Sequence, residues 1–258
     1  MTEGISRRTL LKAAGLGGAA VAVPGGVAAQ AAHQHMAQAA AGDPLQGNSA
    51  SSSSGSNDVL FFFNDEEAQF IEAAIDRLIP PDPEWTGAAG AGVLYYIDRQ
   101  LASAYGAGGR MYLNGPWVPN APSQFGYQLR YSPAELYRVG IEQFRQHVRE
   151  SSNGQEFWQL APAAMDGFLT SLERGDVSLP SVPGPVFFET LLANTIEGFF
   201  SDPAYGGNRD MVGWRMVGFP GAYAAYLDVV DRHNMVYDRR PISFADQRAR
   251  QAHLNTHR

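Results

Sequence analysis

The residues whose types could support catalysis or metal binding are few and scattered along this chain. Its histidines are His33, His35, His147, His233, His253 and His257. His253 and His257 have the i, i+4 spacing with which one helix face holds zinc, but no acidic third ligand lies near them. His33 and His35 lie in a polar stretch near the N-terminus, and His147 falls on the polar side of its expected helix. We therefore expect no metal site.

Carboxylates offer a second route to chemistry, because paired acids can act as general acid and base. Glu189 and Glu197 lie eight residues apart in one expected helix. The segment around Glu197 is strongly apolar, and a buried carboxylate needs a cationic partner. We expect Glu197 to form a buried structural ion pair with Arg209 or Arg215.

Other signatures of chemistry are missing from the sequence. The chain contains no cysteine, which excludes disulfides, thiolate-held iron–sulfur clusters and covalently attached haem c on this polypeptide. HExxH, G-x-S-x-G, GxGxxG and Walker motifs do not occur, and no strand precedes the glycine-rich stretch 87–93. We expect no catalytic and no cofactor-binding residues here. One alternative stays open, a stand-alone enzyme that uses Glu197, Asp202 and Asn208.

The elements that would position these side chains are helices. Asn64 and Glu67 have the spacing of a capping box, and an apolar face of helical period follows them until the prolines from Pro80 onward. Ser132 and Glu135 repeat the capping signature at the start of another helix. The remaining predicted helices cover residues 90–105, 155–160, 162–173, 187–199 and 221–232. The pattern predicts an all-α fold, a single irregular helical domain with long loops.

Composition divides the chain into three parts. Residues 1–32 have the features of an export signal, and residues 33–58 form an Ala/Gln/Ser-rich stretch that predicts a flexible linker. The helical domain covers residues 59–258, with a polar tail from about residue 238. Within it, residues 106–131 form an irregular loop, and loops of this length in a compact domain usually make contacts.

The N-terminal segment resembles a twin-arginine (Tat) signal, with Arg7, Arg8, Leu10 and Lys12 in the motif. The apolar run 13–23 is too short for a stable membrane span. This predicts Tat export to the periplasm, with the Tat translocon as a partner. The net charge of −7 makes nucleic acid a poor partner.

The segment "FFETLLANTIEGFFSDPAYGGNRDMVGWRMVGFPGA", residues 187–222, resembles the gluconate 2-dehydrogenase subunit 3 family. The early segment 78–98 is also similar to that family, although Thr86 stands where proline is expected. The most similar motifs are Glu197-Gly198-Phe199-Phe200, Asp202-Pro203, Tyr205-Gly206-Gly207-Asn208, Trp214 and Gly218-Phe219-Pro220-Gly221.

This resemblance implies a non-catalytic small subunit of a periplasmic FAD-dependent sugar or polyol dehydrogenase. FAD is then expected in a large partner subunit, and haem c in a third, cytochrome c subunit where the complex has one. The complex can also associate this chain with the membrane. The resemblance implies that the small subunit carries the export signal, escorts the flavoprotein through the translocon and stabilises it. A purely structural periplasmic protein is the remaining alternative.

Aromatic residues in the loops are the expected interface with that partner, because aromatic side chains bury large areas at low entropic cost. The candidate interface residues are Tyr112, Trp117, Tyr205, Asn208, Trp214 and Phe219. For Trp214 and Phe219, packing into the core of this chain is an equal alternative.

Overall fold

A computed structural model describes residues 58–118, 121–222, 231–236 and 239–246, which belong to one compact unit. The described part is helical and contains no β-strand, which confirms the predicted all-α fold. Its α-helices are α1 (Asp65–Leu78), α2 (Val93–Leu101), α3 (Pro133–Ser151), α4 (Pro162–Arg174), α5 (Gly184–Phe200) and α6 (Val212–Val217). None of these helices is long and apolar enough to cross a membrane.

The starts of α1 and α3 follow directly from local sequence. The Asn64 side chain accepts a hydrogen bond from the backbone N–H of Glu67, and the Glu67 carboxylate accepts one from the N–H of Asn64. Ser132 and Glu135 make the same reciprocal pair at α3. Each capping box satisfies two backbone groups that a helix terminus leaves without partners. Both predicted helix starts are confirmed.

Helix α5 lies at the centre of the described domain and contacts each of the other five α-helices. This position explains why its sequence is apolar on nearly all sides. Glycines at two positions permit close approaches between α5 and its neighbours. A Cβ at Gly140 of α3 would lie 2.6 Å from the Phe187 ring, and a Cβ at Gly198 would lie 2.8 Å from the Tyr96 ring of α2.

Aromatic rings fill the core between α1, α3 and the following turn. Phe70, Phe144 and Phe157 are fully buried, and their ring centroids lie 5.3 to 6.0 Å apart. Edge-to-face contacts of this kind add stability beyond the buried area itself. Tyr137 and Phe187 make a further edge-to-face pair at 5.8 Å, which joins α3 to α5.

A buried carboxylate fastens the segment that enters the domain. Asp98 of α2 is fully buried and accepts hydrogen bonds from the backbone N–H groups of Phe61, Phe62 and Phe63, at 2.7, 3.0 and 2.9 Å. Arg209 pairs with Asp58 at the beginning of the same segment. Residues 58–63 are therefore held by α2 and by Arg209 before α1 begins.

The structure corrects the predicted extent of the second helix. Helix α2 begins at Val93 and ends at Leu101, whereas the sequence predicted residues 90–105. The N–H of Gly106 donates to the carbonyl of Gln100, so the chain folds back and Tyr105 is partly exposed instead of facing inward. Most of the predicted helix 221–232 lies outside the described residues.

Part of the predicted polar tail packs on the domain. Gly221 and Ile242 form a parallel β-bridge. Asp202 accepts hydrogen bonds from the Ser243 hydroxyl at 2.9 Å and from the N–H of Phe244 at 2.7 Å. The chain from 241 to 244 is thus fixed to the turn that follows α5.

Candidate functional site

The long loop between α2 and α3 presents apolar rings to solvent. Tyr112 and Phe125 expose 78% and 68% of their surface, and Trp117 is partly exposed. They surround a depression of about 630 Å³ that Met111, Pro116, Tyr127 and Gln128 also line. We call this region, Met111 to Trp117 together with Phe125 to Gln128, the aromatic surface. An exposed aromatic cluster of this kind is typical of an interaction site.

Hydrogen bonds order the chain near both ends of this loop. The carbonyl of Gly106 accepts a hydrogen bond from the N–H of Ala134, in the first turn of α3. At the other end, the Tyr127 hydroxyl donates to the carbonyl of Tyr131 at 2.8 Å. Burial, followed by the negative charge of Glu135, raises the pKa of Tyr127 to about 12. Tyr127 therefore remains a neutral donor at physiological pH.

A second depression, of about 460 Å³, lies where α2 meets the C-terminal end of α5. We call it the tyrosine groove. Its lining residues are Tyr96, Gln100, Glu197, Phe200, Ser201, Asp202 and Tyr205. Gly198 of α5 has no side chain and lets the two helices approach closely. The turn after α5 contributes Tyr205 to the groove, and this side chain is 57% exposed.

Hydrogen bonds connect the groove to the core. The Tyr137 hydroxyl, fully buried, donates to Oδ1 of Asn194 at 3.0 Å. Nδ2 of Asn194 donates to Oε2 of Glu197 at 3.2 Å. Because Tyr137 needs an acceptor, the amide oxygen of Asn194 faces inward and its NH₂ group faces Glu197. The core thereby fixes the orientation of a carboxylate on the surface.

Tyr96 and Tyr105 are both neutral. Burial, with the negative charge of Glu197 as the next contribution, raises the pKa of Tyr96 to about 12, and Tyr96 also hydrogen-bonds Glu197. Burial raises the pKa of Tyr105, whose hydroxyl lies 3.4 Å from Oδ1 of Asn194. Among the described residues, the partners of the Glu197 carboxylate, Asn194 and Tyr96, are thus neutral donors.

The comparisons with known proteins give one result. The family model of gluconate 2-dehydrogenase subunit 3 matches residues 65–221, which is more than half of the chain. The chain belongs to this family. The match includes the aromatic surface and the tyrosine groove. Searches of curated proteins and of solved structures find no match. Membership supports a role as an accessory subunit of a dehydrogenase complex.

The prediction that Glu197 forms a buried ion pair is wrong for this subunit 3 chain. Glu197 is exposed, and among the described residues it has no salt bridge to Arg209 or Arg215. Arg209 instead pairs with Asp58 and lies 4.7 Å from the Tyr95 ring centroid. Arg215 lies over Trp85. The apolar sequence around Glu197 belongs to the other faces of α5, and the carboxylate itself points to the groove.

Asp202 and Asn208 have structural roles in this subunit 3. Besides holding Ser243 and Phe244, Asp202 caps the turn after α5 by accepting from the N–H of Ala204 at 2.9 Å. Asn208 is fully buried with a φ of 49°, and its amide joins the carbonyl of Ser201 at 2.7 Å to the N–H of Gly213 at 2.8 Å. Asparagine tolerates this left-handed backbone conformation better than most residues do.

The candidate interface residues divide into two groups. Four of them reach the surface: Tyr112, Trp117, Tyr205 and Phe219. The ring centroids of Phe219 and Trp214 lie 5.1 Å apart. Trp214 is only 6% exposed and donates to the carbonyl of Phe200 at 2.7 Å. Asn208 and Trp214 are therefore buried residues that hydrogen-bond the backbone at the end of α5, where the groove lies. A contact with a partner stays a prediction for all six residues.

Two polar residues of this subunit 3 were not predicted from sequence. Asp98 and Asn194 are buried and organise the surfaces described above. A single acidic or amide residue in an amphipathic helix gives little indication of whether it faces solvent or core. The signal that could have found Asp98 is its place on the inward face of α2, beside Leu94, Ile97 and Leu101.

Several predicted residues lie outside the described part of the chain. The export residues Arg7, Arg8, Leu10 and Lys12 are among them, as are the histidine pairs 33/35 and 253/257. Among the described residues, no group of three or more histidine, aspartate or glutamate side chains is arranged to hold a metal ion.

Proposed function

We propose that this chain is the non-catalytic small subunit of a periplasmic FAD-dependent dehydrogenase of the gluconate 2-dehydrogenase type. In this proposal it carries the flavoprotein subunit through the Tat translocon and stabilises it afterwards. The observation that carries the proposal is the aromatic surface, with Tyr112 and Phe125 largely exposed, on a chain of the subunit 3 family.

The aromatic surface is the expected anchor for a partner protein. Stable hetero-complexes bury on the order of 2,000 Å² or more, and their central contacts are enriched in tyrosine, tryptophan and arginine. Rings left in water lose the free energy that their burial would provide. A partner that covers Tyr112, Trp117 and Phe125 would recover it.

The N-terminal sequence supports the escort role. Arg7 and Arg8 begin a segment that resembles the Tat signal. The Tat route carries folded proteins, and a flavoprotein must fold to hold FAD. We therefore propose that FAD resides in the large subunit and that a cytochrome c subunit with haem c completes the complex where electrons pass to the membrane. The complex then works in the periplasm.

Replacement of both arginines by lysine tests the escort role. In the Arg7→Lys/Arg8→Lys variant we expect the dehydrogenase activity of the flavoprotein partner to stay in the cytoplasmic fraction. The matched control is Arg239→Lys/Arg240→Lys, which makes the same change in a second arginine pair of this chain. Fractionation and activity staining measure the result. Normal export of the partner in the first variant would contradict the proposal.

The alternative of a stand-alone enzyme draws on Glu197, Asp202 and Asn208. Asp202 and Asn208 are engaged in holding the chain together, which disfavours them as reacting groups. The purified single chain should show no flavin absorbance and no sugar oxidation, and turnover by it would overturn the non-catalytic role. A purely structural protein would bring down no flavin-containing partner in a pull-down from periplasm.

A further inference from the structure

The carboxylate of Glu197 has acceptor capacity that the described residues of the domain do not use. Within the described residues its hydrogen bonds come from Asn194 and Tyr96, which are neutral donors. A carboxylate offers about four lone-pair sites, so positions remain open towards the groove. The negative charge is therefore oriented by this chain but not neutralised by a cation within its described part.

Prior orientation lowers the cost of binding at this position. The chain of hydrogen bonds from Tyr137 through Asn194 to Glu197 begins in the core, where Tyr137 is fully buried. A side chain that is already ordered loses less conformational entropy when a ligand contacts it. An exposed glutamate without these hydrogen bonds would give no reason to expect a binding site at this position.

The walls of the groove favour a planar cation. Tyr96 is half-buried beside Glu197, and Tyr205, which also lines the groove, exposes much of its surface. A guanidinium group binds a carboxylate through two parallel hydrogen bonds and also stacks on aromatic faces. The neighbouring residue of α2 already shows this kind of contact, because the guanidinium of Arg209 lies 4.7 Å from the Tyr95 ring centroid.

A metal ion fits the groove less well. The second carboxylate at its edge, Asp202, is occupied by Ala204, Ser243 and Phe244. A depression of about 460 Å³ lined by Tyr96, Phe200 and Tyr205 also suits an organic side chain better than a hard cation that requires several oxygen ligands.

We propose that the tyrosine groove receives an arginine side chain of the partner polypeptide, and that its guanidinium pairs with Glu197 between the rings of Tyr96 and Tyr205. This inference rests on the proposed function, because it names the contact through which the flavoprotein subunit is held. The net charge of −7 supports a complementary basic group on the partner.

Affinity measurements with matched variants test the pair. The probe is the FAD-containing subunit that co-purifies with the wild-type chain, separated and then titrated against the mature chain at low salt. We expect Glu197→Gln to weaken binding about tenfold to a hundredfold, the range for a charge-assisted hydrogen-bonded pair. The matched control, Glu189→Gln, removes an exposed carboxylate from the same helix and should stay within about twofold of wild type.

Salt dependence and a second variant separate the ion pair from a loss of folding. Salt should weaken the wild-type complex more than the Glu197→Gln complex, because screening acts on the charge pair. Tyr205→Leu keeps every charge and removes one wall of the groove, so it should weaken binding several-fold. Thermal melting of each isolated variant should match the wild type within a few degrees.

Arginine footprinting identifies the occupant. Phenylglyoxal modifies exposed arginines of the flavoprotein, and mass spectrometry locates them. We expect the wild-type chain to protect one arginine that Glu197→Gln leaves reactive. Protection of a lysine from acetylation at that place, with no arginine protected, would overturn the assignment of a guanidinium.

The remaining outcomes distinguish the two proposals. If wild type binds the flavoprotein and Glu197→Gln binds it equally well, the groove is not the contact, while the escort function stands. Equal weakening by Glu189→Gln would also overturn the specific pair. If the wild-type chain retains no flavoprotein at all, the proposed function is wrong and this inference is wrong with it.

Discussion

Replacement of Asp98 perturbs the contact that holds the entering segment to the domain. The two carboxylate oxygens accept different bonds. Oδ1 accepts from the N–H groups of Phe62 and Phe63, and Oδ2 accepts from the N–H of Phe61. Asp98→Asn can keep the two bonds to Oδ1, but it places an NH₂ group against the N–H of Phe61. Asp98→Ala removes all three acceptors from a fully buried position.

The expected cost follows from the number of lost bonds. A hydrogen bond to a charged group contributes about 1.5–3 kcal/mol, and an unsatisfied buried donor costs about 1–3 kcal/mol. Asp98→Asn loses one bond, so we expect the free energy of unfolding to fall by about 1.5–3 kcal/mol. For Asp98→Ala we expect about 3–5 kcal/mol, because the segment can partly rehydrate. At about 2–4 °C per kcal/mol, the alanine variant should melt about 10 °C lower.

Urea and thermal unfolding of the purified mature chain, followed by circular dichroism, measure these differences. The control is Asp166→Ala, which removes the partner of Arg77 from a surface ion pair and should cost less than about 1 kcal/mol. The reasoning would be refuted if Asp98→Ala cost no more than the control, or if Asp98→Asn destabilised the chain as much as alanine does.

Substitutions at three further positions probe other contacts by the same unfolding measurements. Gly140→Ala should destabilise the chain by about 1–3 kcal/mol, because its Cβ would lie 2.6 Å from the Phe187 ring, and an unchanged stability would contradict this close packing. Asn208→Ala should cost about 2–3 kcal/mol and Asn208→Gly less, since glycine keeps the left-handed turn and loses only the amide bonds. Burial raises the pKa of Glu156, but hydrogen bonds from Arg145 and a neighbouring arginine outweigh it and leave the pKa below its ordinary value of 4.5. This carboxylate therefore stabilises the fold above about pH 4.5 and loses that contribution as the pH falls through its lowered pKa. The difference in unfolding free energy between wild type and Glu156→Gln should therefore shrink on acidification. A difference that does not change with pH would contradict this role of Glu156.

The helix starts could be read from sequence because capping is local. Asn64 with Glu67, and Ser132 with Glu135, satisfy backbone groups within one turn, so four neighbouring residues contain all the required information. The end of α4 could also be predicted from the sequence, because Gly175 easily adopts the left-handed conformation in which helices commonly end.

The end of α2 and the environment of Glu197 depend on contacts between distant segments. Helix α2 ends after Leu101 because Gly106 folds back on it, and the periodicity of 90–105 contains no sign of that reversal. Glu197 was expected inside because its sequence neighbours are apolar. In the folded chain those neighbours face other helices while Glu197 faces the space between α2 and α5. Only the packing of the two helices decides which side of a nearly all-apolar helix remains exposed.

Helix α2 links the beginning of the described domain to the tyrosine groove. Its residue Asp98 holds the backbone of Phe61 to Phe63, and Tyr96, two positions earlier, lines the groove and hydrogen-bonds Glu197. Successive residues of a helix point in different directions, so one short helix can perform both tasks without the side chains competing. Asp98 binds backbone N–H groups, so these hydrogen bonds do not require particular side chains at positions 61 and 62. The phenylalanine at 61 therefore stays exposed while the backbone of the segment is held in place.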